Sequence, residues 1–161
     1  MPKIDLSKVP VCSGSSYPAP YAAQMGDRAW QELGDAGGLT QFGVSMMIMP
    51  PGSKSSMRHW HTGEDEFVMV TQGALILVQD AGETPVKPGD CVAFPAGDPN
   101  GHHFINRSNA EARFLVIGTR IETDTCVYSD VDMKLELRNG KGEFTRKDGS
   151  ALSVPSTEET K

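Results

Sequence analysis

The sequence predicts an all-β protein, a sandwich or barrel of short strands. Short apolar or alternating runs recur at 41–49, 57–62, 66–72, 74–79, 91–94, 102–106, 112–118 and 133–137. Turn signals separate them, including Pro50-Pro51-Gly52, Asp80-Ala81-Gly82, Lys87-Pro88-Gly89-Asp90 and Arg107-Ser108-Asn109. Almost no stretch between 39 and 138 shows a helical period.

Taken in order, residues 1–38 form an N-terminal arm rich in Gly, Pro, Ser and Ala, expected to pack on the main body. The Tyr17-Pro18 and Ala19-Pro20 steps disfavour helix there. Ala22 to Leu33 fits a short helical turn ended by Gly34. Residues 39–138 are the barrel. Residues 139–161 are a polar tail whose last ten or so positions are expected to be loosely held. There is no internal repeat.

The 161 residues suit one domain, which at this size buries roughly two-thirds of its unfolded surface without disulfides. Lys+Arg is 15 against Asp+Glu 21, a net charge of −6, so neither nucleic acid nor an anionic membrane is an expected partner. No apolar run reaches membrane-spanning length, and the first residues lack a signal-peptide pattern. Cys12, Cys91 and Cys126 are odd in number and widely spaced, which points to a reducing compartment, the cytoplasm, rather than to a disulfide framework.

The four histidines fall in two pairs, His59 and His61, then His102 and His103. In a strand, His59 and His61 point to one side and Trp60 to the other. In a helix the two rings would lie about 200° apart and could share no ligand. After the turn Thr62-Gly63-Glu64-Asp65, Glu66 opens the next strand, and a hairpin there returns its carboxylate to the two rings. A third imidazole arrives from the strand His102 to Asn106. Three imidazoles and a carboxylate suit one divalent first-row ion such as Zn, Mn, Fe or Ni, with positions left open for water, substrate or dioxygen. A lone His-x-His is more often a surface pair; the Glu and the second His pair are what raise the metal reading.

This pattern resembles the cupin superfamily. Gly52, His59-x-His61, four residues, Glu66, six residues and Gly73 are similar to its first signature. Gly89, Pro95-x-Gly97, then His102, three residues and Asn106 are similar to its second. The resemblance implies a double-stranded β-helix, a jelly-roll barrel, with the metal inside and His59, His61, Glu66 and His102 as ligands. The gap before His59 is one residue longer than usual, and the gap before His102 two longer. That insertion leaves His103 open as the third imidazole, while the spacing to Asn106 and strand parity select His102, with His103 outward. Glu64 is the alternative to Glu66.

A narrower likeness is to small bacterial single-domain cupins, some of which carry a sugar-phosphate isomerase label. It rests on Tyr17-Pro18-Ala19-Pro20, on Gly38 to Gly43, on Arg58-His59-Trp60-His61 through Val68, on Asn100-Gly101-His102-His103 and on Arg146-Lys147-Asp148-Gly149. The expected function is therefore a metal-dependent isomerase that uses the ion as a Lewis acid on a small oxygenated metabolite. A metal-dependent dioxygenase or decarboxylase, or a non-catalytic ligand-binding cupin, are the alternatives. Glu64, beside the motif, and Tyr17, on the arm, are the candidate catalytic groups; a solvated turn carboxylate and a packing tyrosine are the plain readings. Arg58, Arg107, Arg113 and Arg120 are candidates for an anionic substrate, or else a solvent face. A phosphate-bearing substrate calls for two or more cations at the barrel mouth. Cys91 is expected buried, Asn106 is expected to hold a loop through its amide, and the protein is expected to form a homodimer.

Overall fold

In the computed structural model, which describes residues 3–152, thirteen strands build two facing antiparallel layers. One layer runs β1 (Cys12–Ser13), β2 (Ala29–Glu32), β3 (Phe42–Met49), β10 (Ala112–Thr119), β5 (Glu66–Gln72) and β8 (Cys91–Phe94). The other is made of two sheets. The first orders β13 (Lys141–Thr145), β12 (Met133–Arg138), β11 (Thr123–Tyr128) and β4 (His59–His61); the second orders β7 (Gly82–Val86), β6 (Leu75–Gln79) and β9 (His103–Ile105). A bridge between His59 and His102 joins the two. This is the double-stranded β-helix.

Alternation decides which side chains fill it. On β5, Val68 and Val70 point inward while Phe67 and Met69 stay exposed. The inner set meets Leu75, Leu77, Val86 and Phe104 from the opposite layer, with Met49, Phe94, Ala112 and Phe114. A second cluster, Met25, Met57, Cys126, Tyr128 and Met133, lies between the β11–β12 face and the arm, which adds Tyr17 and Tyr21. Gly73, between β5 and β6, has φ of 71°, and a Cβ there would stand 2.8 Å from Ala112 Cα, so only glycine fits. Asn106, fully buried, holds its loop as expected. Its amide donates to the Met49 and Ala110 carbonyls at 2.7 and 2.8 Å and accepts from Ser108.

Several expectations are corrected. β4 and β5 are not a hairpin: β4 pairs with β11, and β5 pairs with β8 and β10, so the Thr62–Asp65 turn crosses between layers. The segment Ala22 to Leu33 is a single 3₁₀ turn at Ala22–Met25 followed by β2, and Gly34 lies inside a short helix, α1 (Leu33–Ala36), rather than ending one. Pairing with β3 overrides local preference there. Cys91 is exposed, because β8 is an edge strand and its outward positions meet solvent. The polar tail contributes β13, paired with β12. Its final residues, 153–161, lie outside the described residues. Among the described residues no helix is long and apolar enough to cross a membrane.

Candidate metal centre

β4 is three residues long, and its alternation turns His59 and His61 into the barrel together. Their ring centroids are 5.1 Å apart. Glu66 arrives from the facing layer, at the first residue of β5 beside Phe94 of β8 and Gly118 of β10. His102 lies just before β9 and exchanges both backbone hydrogen bonds with His59. One carboxylate oxygen is the meeting point. Glu66 Oε2 is 2.9 Å from His102 Nε2, 3.9 Å from His59 Nε2 and 3.9 Å from His61 Nε2. Ligand atoms of His59, Glu66 and His102 all lie within 4.8 Å of one another.

The rings are oriented from behind. His59 Nδ1 donates to the Met57 carbonyl at 2.9 Å, which leaves the Nε2 lone pair facing Glu66. His61 Nδ1 donates to Asp124 Oδ2 at 2.6 Å, with the same result. Asp124 is itself held by the Gly63 amide at 2.8 Å and the Thr62 hydroxyl at 3.1 Å. Metal-ligating histidines are commonly braced by such a carboxylate. His102 is fixed differently. Its ring stacks on Phe94 at 3.4 Å between centroids, its Nε2–H donates to Glu66, and its buried Nδ1 has no hydrogen-bond partner among the described residues.

Burial pulls the His59 imidazole down to about 4, against the opposing pull of Glu66, so this ring is neutral near pH 7. Burial pushes Glu66 up, but the His102 hydrogen bond and the neighbouring rings outweigh it and hold the carboxyl at about 2. A neutral His59 supplies little of that pull near neutrality, so the His102 hydrogen bond is the cause that survives there, and Glu66 is ionised. A neutral His59 imidazole beside an ionised Glu66 carboxylate is the pair of protonation states a metal ligand set needs. Donors that share an ion at about 2.1 Å sit roughly 3 Å apart when at right angles, and the 2.9–3.9 Å separations of the three rings from Glu66 Oε2 are close to this. The residues present fit a divalent ion.

The cupin domain family model matches residues 45–118. A sugar phosphate isomerase of the cupin superfamily from Silicibacter pomeroyi is 56% identical, over 95% of this chain and 98% of its own, with a TM-score of 0.93. This chain belongs to the cupin superfamily. A provisionally named sugar phosphate isomerase from Acidithiobacillus ferrooxidans is 30% identical over 78% of this chain and 80% of its own, with a TM-score of 0.72. The polyketide cyclase RemF from Streptomyces resistomycificus, at 23% identity over 74% and 79% with a TM-score of 0.61, shares the fold alone. No curated protein sequence matches the chain.

In this cupin, His103 is buried beneath the loop before β4, where Nδ1–H donates to the Ser56 carbonyl at 3.1 Å, away from the ligand set. It faces out of the barrel, yet not into water. Glu64 approaches His61 from the Asp124 side, 3.9 Å from Nδ1, and burial pushes its carboxyl up. Tyr17 packs edge-on against Tyr128 at 5.5 Å, and Tyr128 in turn lies 6.1 Å from the His59 ring; Tyr17 does not line the cavity. Arg58, Arg107, Arg113 and Arg120 sit on carboxylates outside the barrel. Two residues that reach the site escaped the sequence reading. Asp124 belongs to β11, whose Thr-Asp-Thr-Cys-Val-Tyr alternation is itself a strand signal. Arg28 reaches the cavity from the arm, and nothing local in its sequence marks it.

Proposed function

We propose that this cupin is a metal-dependent enzyme that holds one divalent ion through His59, His61, Glu66 and His102 and isomerises a small oxygenated metabolite. The observation that carries the reading is the convergence on one Glu66 oxygen of three Nε2 atoms, two from β4 and one from the loop before β9. The 56% identical relative named as a sugar phosphate isomerase supports the reaction class. The cavity in front of the ligands is small, about 180 Å³, below the roughly 300 Å³ at which drug-sized sites begin.

When bound, the ion would act as a Lewis acid, easing the negative charge that develops on a substrate oxygen. The chain's own groups do the rest. Val68, Phe104, Phe114 and Val116 line the cavity and exclude water. Asp124 keeps the His61 proton on Nδ1, so that Nε2 stays a donor. Glu64 lies with His61 and Glu66 on the adjoining cleft rather than on this cavity, and its carboxyl, pushed up by burial, is the group proposed to take a proton and return it from that side. The phosphate half of the relative's name fits less well, since Arg28 is the one cation lining the cavity among the described residues.

Elemental analysis of protein purified without added metal tests the site. One ion per chain, lost in His59→Ala, is the expected result; a metal-free wild type defeats the reading. Isomerisation should run equally in air and under nitrogen, and Glu64→Gln should lower kcat on the order of a hundredfold with the ion retained.

We further propose a homodimer. Phe42 on β3 and Phe67 and Met69 on β5, the two strands that flank β10, are exposed on one outer face. A monomer in light scattering would contradict this.

A further inference from the structure

Resting on that reading of the metal centre, we propose that Arg28 is the substrate's anion anchor and that the substrate carries a single carboxylate beside its metal-binding oxygen. Six of the seven arginines face a carboxylate: Arg58, Arg107, Arg113, Arg120, Arg138 and Arg146. Arg28 does not, among the described residues, although it is more enclosed than most of them. Its guanidinium lies over the rings of Tyr17 and Trp30, at 5.8 and 6.0 Å from their centroids. Nη1 donates to the Ser55 carbonyl, whereas Nε and Nη2 make no hydrogen bond among the described residues, and Nε is buried. Burial pulls this group down from its usual range, which is the mark of a charge lacking a counter-charge.

Its position is built rather than incidental. The arm crosses from the second core cluster, where Met25 is buried, to the opposite layer, where β2 pairs with β3. The Met25 carbonyl accepts from the Lys54 amide at 3.2 Å, and Gly26 fits against Ser53, where a Cβ would come within 3.1 Å. Arg28 therefore stands where the arm spans the barrel mouth, and it lines the same cavity as His59, Glu66 and His102. One planar guanidinium matches one carboxylate. A phosphate dianion would leave charge uncompensated, and the nearest other cleft is lined by Glu64, Glu66 and Asp98 with no cation. The chemistry selected is a small hydroxy or keto acid, its carboxylate on Arg28 and its carbonyl or hydroxyl toward the metal ligands.

The test is calorimetric titration of glycolate, with inorganic phosphate as the second probe, into the full chain, both metal-free and loaded with Co(II). Arg28→Gln should weaken glycolate on the order of tenfold or more, with Arg28→Lys in between, while bound cobalt stays unchanged. Wild-type protein should also bind glycolamide, which lacks the charge, on the order of tenfold more weakly than glycolate, a comparison that needs no variant to fold. Equal glycolate affinity in wild type and Arg28→Gln overturns the proposal. So does wild type that binds phosphate more tightly than glycolate, or that binds glycolate in neither form. A wild type that takes up no cobalt yet shows the Arg28-dependent difference when metal-free overturns the metal reading and sustains the anchor.

Discussion

The floor and the mouth of this barrel are built from the same strands on opposite principles. At the floor, Val70, Leu75, Leu77 and Phe114 pack from both layers in an apolar cluster. At the mouth, the same alternation delivers His59, His61, Glu66 and His102, four polar side chains in largely dry surroundings, the first two held by a partner behind the ring and the last two bonded to each other. A dry floor stabilises the fold by burial and can tolerate any neighbour of the right shape. The mouth spends stability on preorganisation, and its residues are useful only in one geometry.

The contrast can be broken at either end. The largest effect is expected at the floor. Leu75→Ala removes a buried side chain and should cost about 2–5 kcal/mol in urea unfolding while leaving metal content intact. Loss of metal with no loss of stability would invert the assignment.

The mouth should show itself next through pH. The folded His59 pKa of about 4 lies below its unfolded value near 6.5, so the unfolded state takes the proton first. That contribution to stability is whole above about pH 6.5 and is lost as pH falls toward 4, roughly 3 kcal/mol in metal-free protein. His59→Gln should flatten the slope in this window. Glu66 acts in the same sense at lower pH: its pKa is also lowered on folding, so its stabilisation is whole above about 4.5 and disappears as pH falls toward about 2.

A smaller effect sharpens the comparison by touching no ligand. Asp124→Asn can no longer hold the His61 Nδ1–H as an ionised acceptor, so metal affinity should fall about 10–100-fold with the fold retained. The smallest belongs to neither region. Arg107→Ala breaks a fully exposed pair with Glu83 and should leave both the unfolding midpoint and the metal content unchanged.

Much of the barrel was legible along the chain. β3, β5, β6, β8 and β10 each announce themselves by short apolar or alternating runs closed by Gly, Pro or Asn turns. β11 and β7 did not. Thr123–Tyr128 mixes polar and apolar residues because one face packs and the other meets solvent, and Gly82–Val86 carries a proline that an edge strand tolerates. Missing β11 meant missing Asp124. The hairpin expected between His61 and Glu66 was wrong for a related reason: a turn of four residues serves a layer crossing as well as a hairpin, and only the partners β10 and β11 distinguish them.

The sequence by itself determined that this chain makes a β barrel and which side chains alternate inward, since the two-residue period of a strand and the spacing of His59, His61, Glu66 and His102 are local properties. Tertiary structure alone decided which groups stand behind those four and what else reaches the cavity. Asp124 and Arg28 lie 63 residues after His61 and 31 before His59. Two layers and an arm must close on one another before either has anything to touch.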